Sequence, residues 1–296
     1  MTPPPPPSSP LPSSHSLTLN TIINPIQSNP IQSLNPISIP SSYPKNAPKS
    51  SPYLPLLTTH LTSSPTSTSI TLTTLSCPPL SPAPFPRSRT VEFRGFFPTL
   101  NLHPTAIQSL KDQHIGLNPD IYESEMLALT TDKRMEKVKE LESSGGVVEA
   151  VFWLREVGNM WRVRGKACII GGEGEKEVEG RGFVEKGLRK VRDGEGWSWE
   201  RQVDMYFANH SPGMRGTFKN PPPGTPRNQD PGHPELKLGQ KVEDLKDKVA
   251  RENFRVVVIR PEEVERLDVN DPSNPIRTRW TAVRDGEEWE EVDLWP

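Results

Sequence analysis

Eight consecutive residues, Thr130-Thr131-Asp132-Lys133-Arg134-Met135-Glu136-Lys137, hold two hydroxyls followed by three cations. The apolar run Leu127–Thr131 before them reads as a strand. Asp132 to about Glu142 reads as a helix, with Met135, Val138 and Leu141 inward and Gly145-Gly146 at its end. A helix start offers free backbone amides and a positive dipole end, which suit an anion. Lys133, Arg134 and Lys137 stand where that dipole disfavours positive charge. A bound phosphate would reconcile the two. Side chains reaching into water, at about a few tenths of a kcal/mol each, would also do so.

A second candidate is Arg89-Thr90-Val91-Glu92-Phe93-Arg94-Gly95-Phe96. Two arginines five apart on a regular strand point to opposite faces. One ligand could meet both at a strand edge or a bulge; otherwise they are unrelated solvated groups. Other chemistry is thin. The six histidines show no HExxH motif, Gly171-Gly172-Glu173-Gly174 is not GxGxxG, and there is no P-loop. Cys77 and Cys168 lie far apart and outside any CxxC pair, which argues against a disulfide framework or a cysteine zinc site and fits a reducing compartment.

The elements that must carry these residues are mostly strands. Ser51-Pro52 looks like a capped helix start, with Leu54, Leu57 and Leu61 on one face. Strands follow at Ser69–Leu75, Arg89–Arg94, Val147–Leu154 and Trp161–Ile170, the last with Trp161, Val163, Ala167 and Ile169 on its inner side. Gly171 to Gly196 reads as an exposed loop, and Trp199, Val203, Tyr206 and Phe207 as a short helix. Residues 212–240 read as a long connection and Val242–Ala250 as an exposed helix. Phe254–Ile259 is a buried strand broken by Pro261. Leu267-Asp268-Val269 begins another, and Ile276–Val283 and Trp289–Leu294 form a hairpin through Asp285-Gly286. The fold class expected is mostly β (α+β), a barrel with flanking helices.

Composition divides the chain. Residues 1–49 are Pro, Ser, Asn and Thr with scattered apolar side chains, too little to offset ordering entropy, and read as a disordered tail ahead of one domain over 50–296. No acid precedes Glu92, so the first 91 residues carry +4 and the remainder −6. Neither part shows the basic stripe of a nucleic-acid binder. No apolar run approaches the roughly 18 residues of a membrane span. The start lacks the pattern of a secretory signal, and its freedom from acids is shared with mitochondrial transit peptides, though it has too few arginines for one. A cytoplasmic location is the expectation.

Together the segments RTVEFRGF, TTDKRMEKVKEL and WRVRG resemble the flavin-binding half of pyridoxamine 5'-phosphate oxidase-like proteins, in particular a branch marked by RTVVFRGF, TDxRSxK and FRIxG. His210-Ser211-Pro212-Gly213-Met214-Arg215-Gly216-Thr217-Phe218 with Pro223-Gly224 is similar to that branch's SxxxRxxF…PG element, and Asn274–Trp280 to its last hairpin. The resemblance spans residues 50 to 296. It implies a six-stranded antiparallel FMN-binding split barrel, a homodimer with FMN at the subunit interface, and a flavin-dependent oxidoreductase. It places Arg89, Thr90, Val91 and Arg94 along the flavin and its phosphoribityl chain. Thr130 and Thr131 would contact flavin or phosphate, and Arg134 and Lys137 would hold the phosphate. Arg215 and Arg279 would reach the flavin from the partner. Met135 replaces a serine of the pattern, Met160 a common flavin-contacting glutamine, and Leu267 a tryptophan of the oxidase, whose Arg-x-His is missing around Arg277. Pyridoxamine phosphate is therefore not the expected substrate. A non-catalytic flavin-binding or sensing module, or a split barrel using F420 or haem with His210 as ligand, are the alternatives.

Overall fold

The computed structural model describes residues 50–77 and 83–296; the 1–49 tail and the start of the proline-rich connection at Pro78 lie outside the described residues. Helix α1 (Leu54–Ser63) leads into β1 (Ser69–Ser76) and β2 (Phe85–Glu92). Then come α2 (Pro104–Asp112), β3 (Tyr122–Glu123), β4 (Leu127–Asp132), α3 (Glu136–Ser143), β5 (Val147–Leu154) and β6 (Asn159–Ile170). Next are α4 (Glu175–Glu185), β7 (Arg189–Lys190), α5 (Trp199–Ala208), α6 (Pro212–Gly216) and α7 (Lys248–Asn253). The chain ends with β8 (Phe254–Asp268), β9 (Ile276–Val283) and β10 (Glu288–Leu294).

Six strands close into a ring. β2 pairs β1, β1 pairs β5, β5 pairs β6, β6 pairs β8 and β8 pairs β4, all antiparallel. The gap between β4 and β2 is closed just past the end of β2. There Arg94 N donates to Ala128 O at 2.8 Å and Ala128 N donates to Gly95 O at 2.9 Å. Beyond the ring, β9 pairs the second half of β8, and β10 pairs β9. This is the expected six-stranded split barrel, with the C-terminal hairpin added as two further strands.

β4 and β8 form a wall between two cores, which is why both read as unbroken apolar runs. Leu127, Leu129, Val257 and Ile259 face the barrel interior with Leu72, Phe152, Trp161 and Val163. Ala128, Val256 and Val258 face a second core that includes Leu110 of α2 and Tyr206 and Phe207 of α5. A strand buried on both faces loses its alternation of polar and apolar residues.

Several sequence expectations are corrected. Pro261 does not break the strand: β8 runs on to Asp268, absorbing the proline at a register shift opposite Arg164/Gly165. Glycine is needed at 165 because a β-carbon there would collide with the Arg260 carbonyl. An irregularity of this kind is one of the few places a sheet tolerates proline. Gly171–Gly196 is not a loop throughout. α4 forms because Val184 is fully buried, and Glu177 accepts the Gly171 and Gly172 amides at its start. Val242 and Leu245 are buried yet not helical; the helix in that region is confined to α7, capped by Asp247. α1 begins at Leu54 without a Ser51 side-chain cap. α3 begins at Glu136, since Asp132 still belongs to β4.

Candidate functional site

The ends of β2 and β4, the start of α3 and the turn between α5 and α6 surround a cavity of about 680 Å³, walled on its far side by the proline-rich segment after Phe218. Antiparallel pairing brings these parts together: the β2–β4 closure sets Arg94 beside Ala128, two residues before Thr130. Thr90, Val91, Arg94, Thr130, Thr131 and Lys137 all line the cavity. Two segments that are separate in sequence thus become one site.

The three cations of the β4–α3 corner have different surroundings. Lys133 pairs with Glu252 at 2.8 Å. Arg134 is bound to Asp132, with Nε to Oδ1 at 2.9 Å and Nη2 to Oδ2 at 2.6 Å, and it also donates to the Asn220 and Phe218 carbonyls. Lys137 is the exception. Its Nζ donates to Thr131 Oγ1 at 3.0 Å and lies 2.8 Å from the Met135 sulfur, with no ion pair among the described residues. Burial, with Arg89 nearby, lowers its pKa to about 8. Asp132 and Glu140 oppose this shift from a distance without pairing with it, and an ammonium desolvated without an ion pair is costly unless an anion joins it.

Arg94 is the second cation facing the cavity. Its Nε is buried without a partner and its Nη2 lies 3.4 Å from His210 Nε2. Burial lowers its pKa, with Glu92 opposing. His210 was singled out in the sequence only as a possible haem ligand, yet it organises one wall. Its Nδ1 lies 2.9 Å from the Tyr206 carbonyl, which can only accept, so Nδ1 carries the proton. Nε2 then presents a lone pair to the Thr130 hydroxyl at 3.0 Å. Burial and Arg94 hold the imidazole neutral by lowering its pKa to about 4. A histidine just ahead of a Ser-Pro helix start was the one signal available, and it says nothing of which strand the ring will meet.

The remaining expected residues stand elsewhere. Arg89 lines an adjoining open groove that shares Met135 and Lys137, and it pairs with Glu140 at 2.5 Å. Arg215 is 2% exposed, with Nε on the Val242 carbonyl at 2.7 Å and Nη1 on the Ala208 and His210 carbonyls. Arg279 is on β9 opposite Glu265 and Val292, not among the cavity residues; its Nε is buried and unpartnered. Trp199 and Tyr206, on the helix the sequence predicts, stack on Phe97 in the helical core. Glu92 does face the cavity, but its carboxylate accepts the Thr68 and Ser69 hydroxyls.

Comparison with known proteins agrees with this arrangement. Residues 50–171 match the family model of the pyridoxamine 5'-phosphate oxidase FMN-binding domain. No curated protein matches the chain in sequence. Among solved structures, a pyridoxamine 5'-phosphate oxidase-related, FMN-binding protein from Nostoc punctiforme PCC 73102 aligns with a TM-score of 0.55 at 17% identity. That alignment covers 84% of this chain and 100% of the other. PhzG from Burkholderia lata 383, solved with tetrahydrophenazine-1-carboxylic acid, aligns at 15% identity and a TM-score of 0.41, over 84% and 94% of the two chains. Only the first is similar enough to bear on the fold.

The residues present suit FMN. Lys137 has no ion pair among the described residues, Arg94 has an unmatched buried donor, and the Thr131 hydroxyl lies 3.0 Å from Lys137 in the cavity lining. Residues 50–171 are thus similar to the pyridoxamine 5'-phosphate oxidase FMN-binding domain, and the chain has the fold of an FMN-binding protein related to that oxidase.

Proposed function

We propose that the chain is a flavin-dependent oxidoreductase that works as a homodimer, with the FMN phosphate held at Lys137 and Thr131. The observation that carries this reading is the half-buried Lys137 ammonium, which lines the cavity with no ion pair among the described residues. Thr90, Val91, Arg94 and Thr130 would line the rest of the cofactor, and Arg89 would act from the adjoining groove. When bound, FMN supplies the redox chemistry, while the protein supplies orientation and electrostatics. His210 holds Thr130 and Arg94 in place through its neutral Nε2.

Dimerisation is supported by the outer barrel face. Trp153, Met160 and Leu267 lie in register across β5, β6 and β8, with Trp153 46% exposed. Val292 of β10 is 47% exposed and stands opposite Arg279, whose Nε lacks a partner. Apolar side chains gathered on one face mark an interaction surface. Arg279 would complete its hydrogen bonds there, beside the partner's flavin.

A flavin-binding module without turnover is favoured by one observation: the carboxylates and imidazole of the cavity are all engaged internally. Glu92 is bonded to Thr68 and Ser69, Asp132 to Arg134, and His210 to Thr130 and Tyr206. The test is a titration with FMN, followed by the flavin's visible absorption, of wild type and Lys137→Met. Tight binding that the substitution weakens at least tenfold, about 1.4 kcal/mol, supports the cofactor site; equal binding by both removes it. Reduction of the bound flavin by donor compounds, then reoxidation, separates enzyme from carrier. Sedimentation of wild type and Trp153→Glu tests the dimer.

A further inference from the structure

The proline-rich wall of the cavity is a strap whose two ends are fixed and whose middle is not. At its base, Lys237 N donates to the Lys219 carbonyl at 2.9 Å, and the Gln240 side-chain amide donates to the Glu235 and Lys237 carbonyls at 2.8 and 2.9 Å. The Lys219 ammonium pairs with Glu235 at 3.2 Å and with Asp247 at 2.9 Å, and Arg134 donates to the Asn220 carbonyl at 3.0 Å. Gly216 lets the chain beyond the strap pass against α6, since a β-carbon there would stand 1.9 Å from the Gln240 carbonyl oxygen. Long loops with their ends tied together are commonly functional, as lids or binding loops.

Between those ends the contacts change in kind. The hydrogen bonds of residues 221–234 are local: the Thr225 amide and hydroxyl donate to the Pro222 carbonyl, Gln229 N to the Pro226 carbonyl and Gly232 N to Asp230. Among the described residues none of their hydrogen bonds or ion pairs crosses to the barrel, and none of these residues is buried. Yet Pro221, Pro222, Pro223, Pro226, Arg227 and Pro231 line the cavity. The strap therefore stands off from the barrel, with the cavity of about 680 Å³ beneath it. Proline fixes φ along it, so little conformational freedom is lost when it moves as a unit. Gly224 and Gly232 bracket its tip with φ of +81° and +84°, and a β-carbon at either would meet nothing within 4 Å. A wall of apolar rings held only at its ends gains by closing on a ligand that fills the space beneath it.

We propose that residues 221–234 are a lid that closes over FMN in the cavity, laying its prolines on the cofactor and excluding water from it. The inference rests on the FMN reading, and its test separates the two. Trypsin is applied to the full chain alone, with saturating FMN and with inorganic phosphate, and the cut after Arg227 is timed by mass spectrometry. Arg227 is exposed near the strap's tip, and Arg192, exposed just after β7, serves as the reference cut. The free chain should be cut after Arg227, and FMN should slow that cut at least tenfold while Arg192 keeps its rate. Phosphate, which occupies the Lys137 corner without filling the space under the strap, should have no effect. FMN binding is read in parallel from the flavin's visible absorption. An unchanged cut after Arg227 in the presence of bound FMN overturns the lid and leaves the cofactor reading standing. So does equal slowing at Arg192, which reports a general tightening, equal slowing by phosphate, or resistance of the free chain at Arg227. Absence of FMN binding overturns the cofactor reading and the lid with it.

Discussion

The corner where β4 meets α3 and the corner where α5 meets α6 both bury cations, and they use them in opposite ways. At the second corner the Arg215 donors end on the carbonyls of Ala208, His210 and Val242, locking three stretches of backbone together. At the first, Lys137 ends on a hydroxyl and a thioether and keeps its charge beside the cavity. Arg134, three residues earlier in the same motif, behaves like Arg215, because Asp132 and two carbonyls absorb its donors. A buried cation is structural when carbonyls and carboxylates complete its hydrogen bonds. It marks a ligand site when they do not.

The sharpest way to break this comparison is to exchange the two outcomes. Arg215→Met strands three buried carbonyls and should lower stability by about 3–5 kcal/mol, read as a shifted urea midpoint. Lys137→Met removes a desolvated charge and should leave that midpoint unchanged or raised. If the two substitutions destabilise equally, the distinction fails.

His210 lies between the corners and should show an intermediate effect. His210→Phe deprives the Thr130 hydroxyl and Arg94 of their acceptor, at a cost of about 1–3 kcal/mol. The same ring makes the fold acid-sensitive. The folded chain protonates it only near pH 4, whereas the unfolded chain does so near 6.5, so the unfolded state binds more protons across that window. Stability should therefore fall as pH drops from 6.5 towards 4, and denaturation of His210→Gln should show a shallower acid slope.

A smaller effect sharpens the Lys137 assignment. A phosphate favours the charged ammonium, so FMN affinity should weaken as pH rises through about 8, by no more than the Lys137→Met substitution itself. In Lys137→Met that part of the pH dependence should vanish. Without FMN, the depressed pKa has the opposite sign. Between about 8 and 10.5 the unfolded chain holds more protons, and stability should rise with pH.

Much of the barrel was legible in the residues because local patterns decide it. Alternation marked Val147–Leu154 and Ile276–Val283, and a Thr-Thr strand end followed by clustered cations marked the corner that lines the cavity. The same patterns misled where tertiary context overrode them. Pro261 reads as a breaker, yet the register shift opposite Gly165 carries β8 through it. The charged run from Gly171 to Gly196 reads as loop, yet burial of Val184 against the helical core holds α4 in place. Side-chain roles were less legible still. Composition shows that Lys133, Arg134 and Lys137 are positive, but which of them is left without an ion pair depends on the fold of Arg134 back onto Asp132 and on Glu252, more than a hundred residues from Lys133. The strands and the resemblance to an FMN-binding family could be read from the residues alone, because periodicity and short motifs are local. That His210 lines the cavity beside Thr130, and that Arg134 and Arg215 tie separate stretches of backbone together, could not be read from the chain. Each of those depends on which distant donors and acceptors the closed barrel brings within reach.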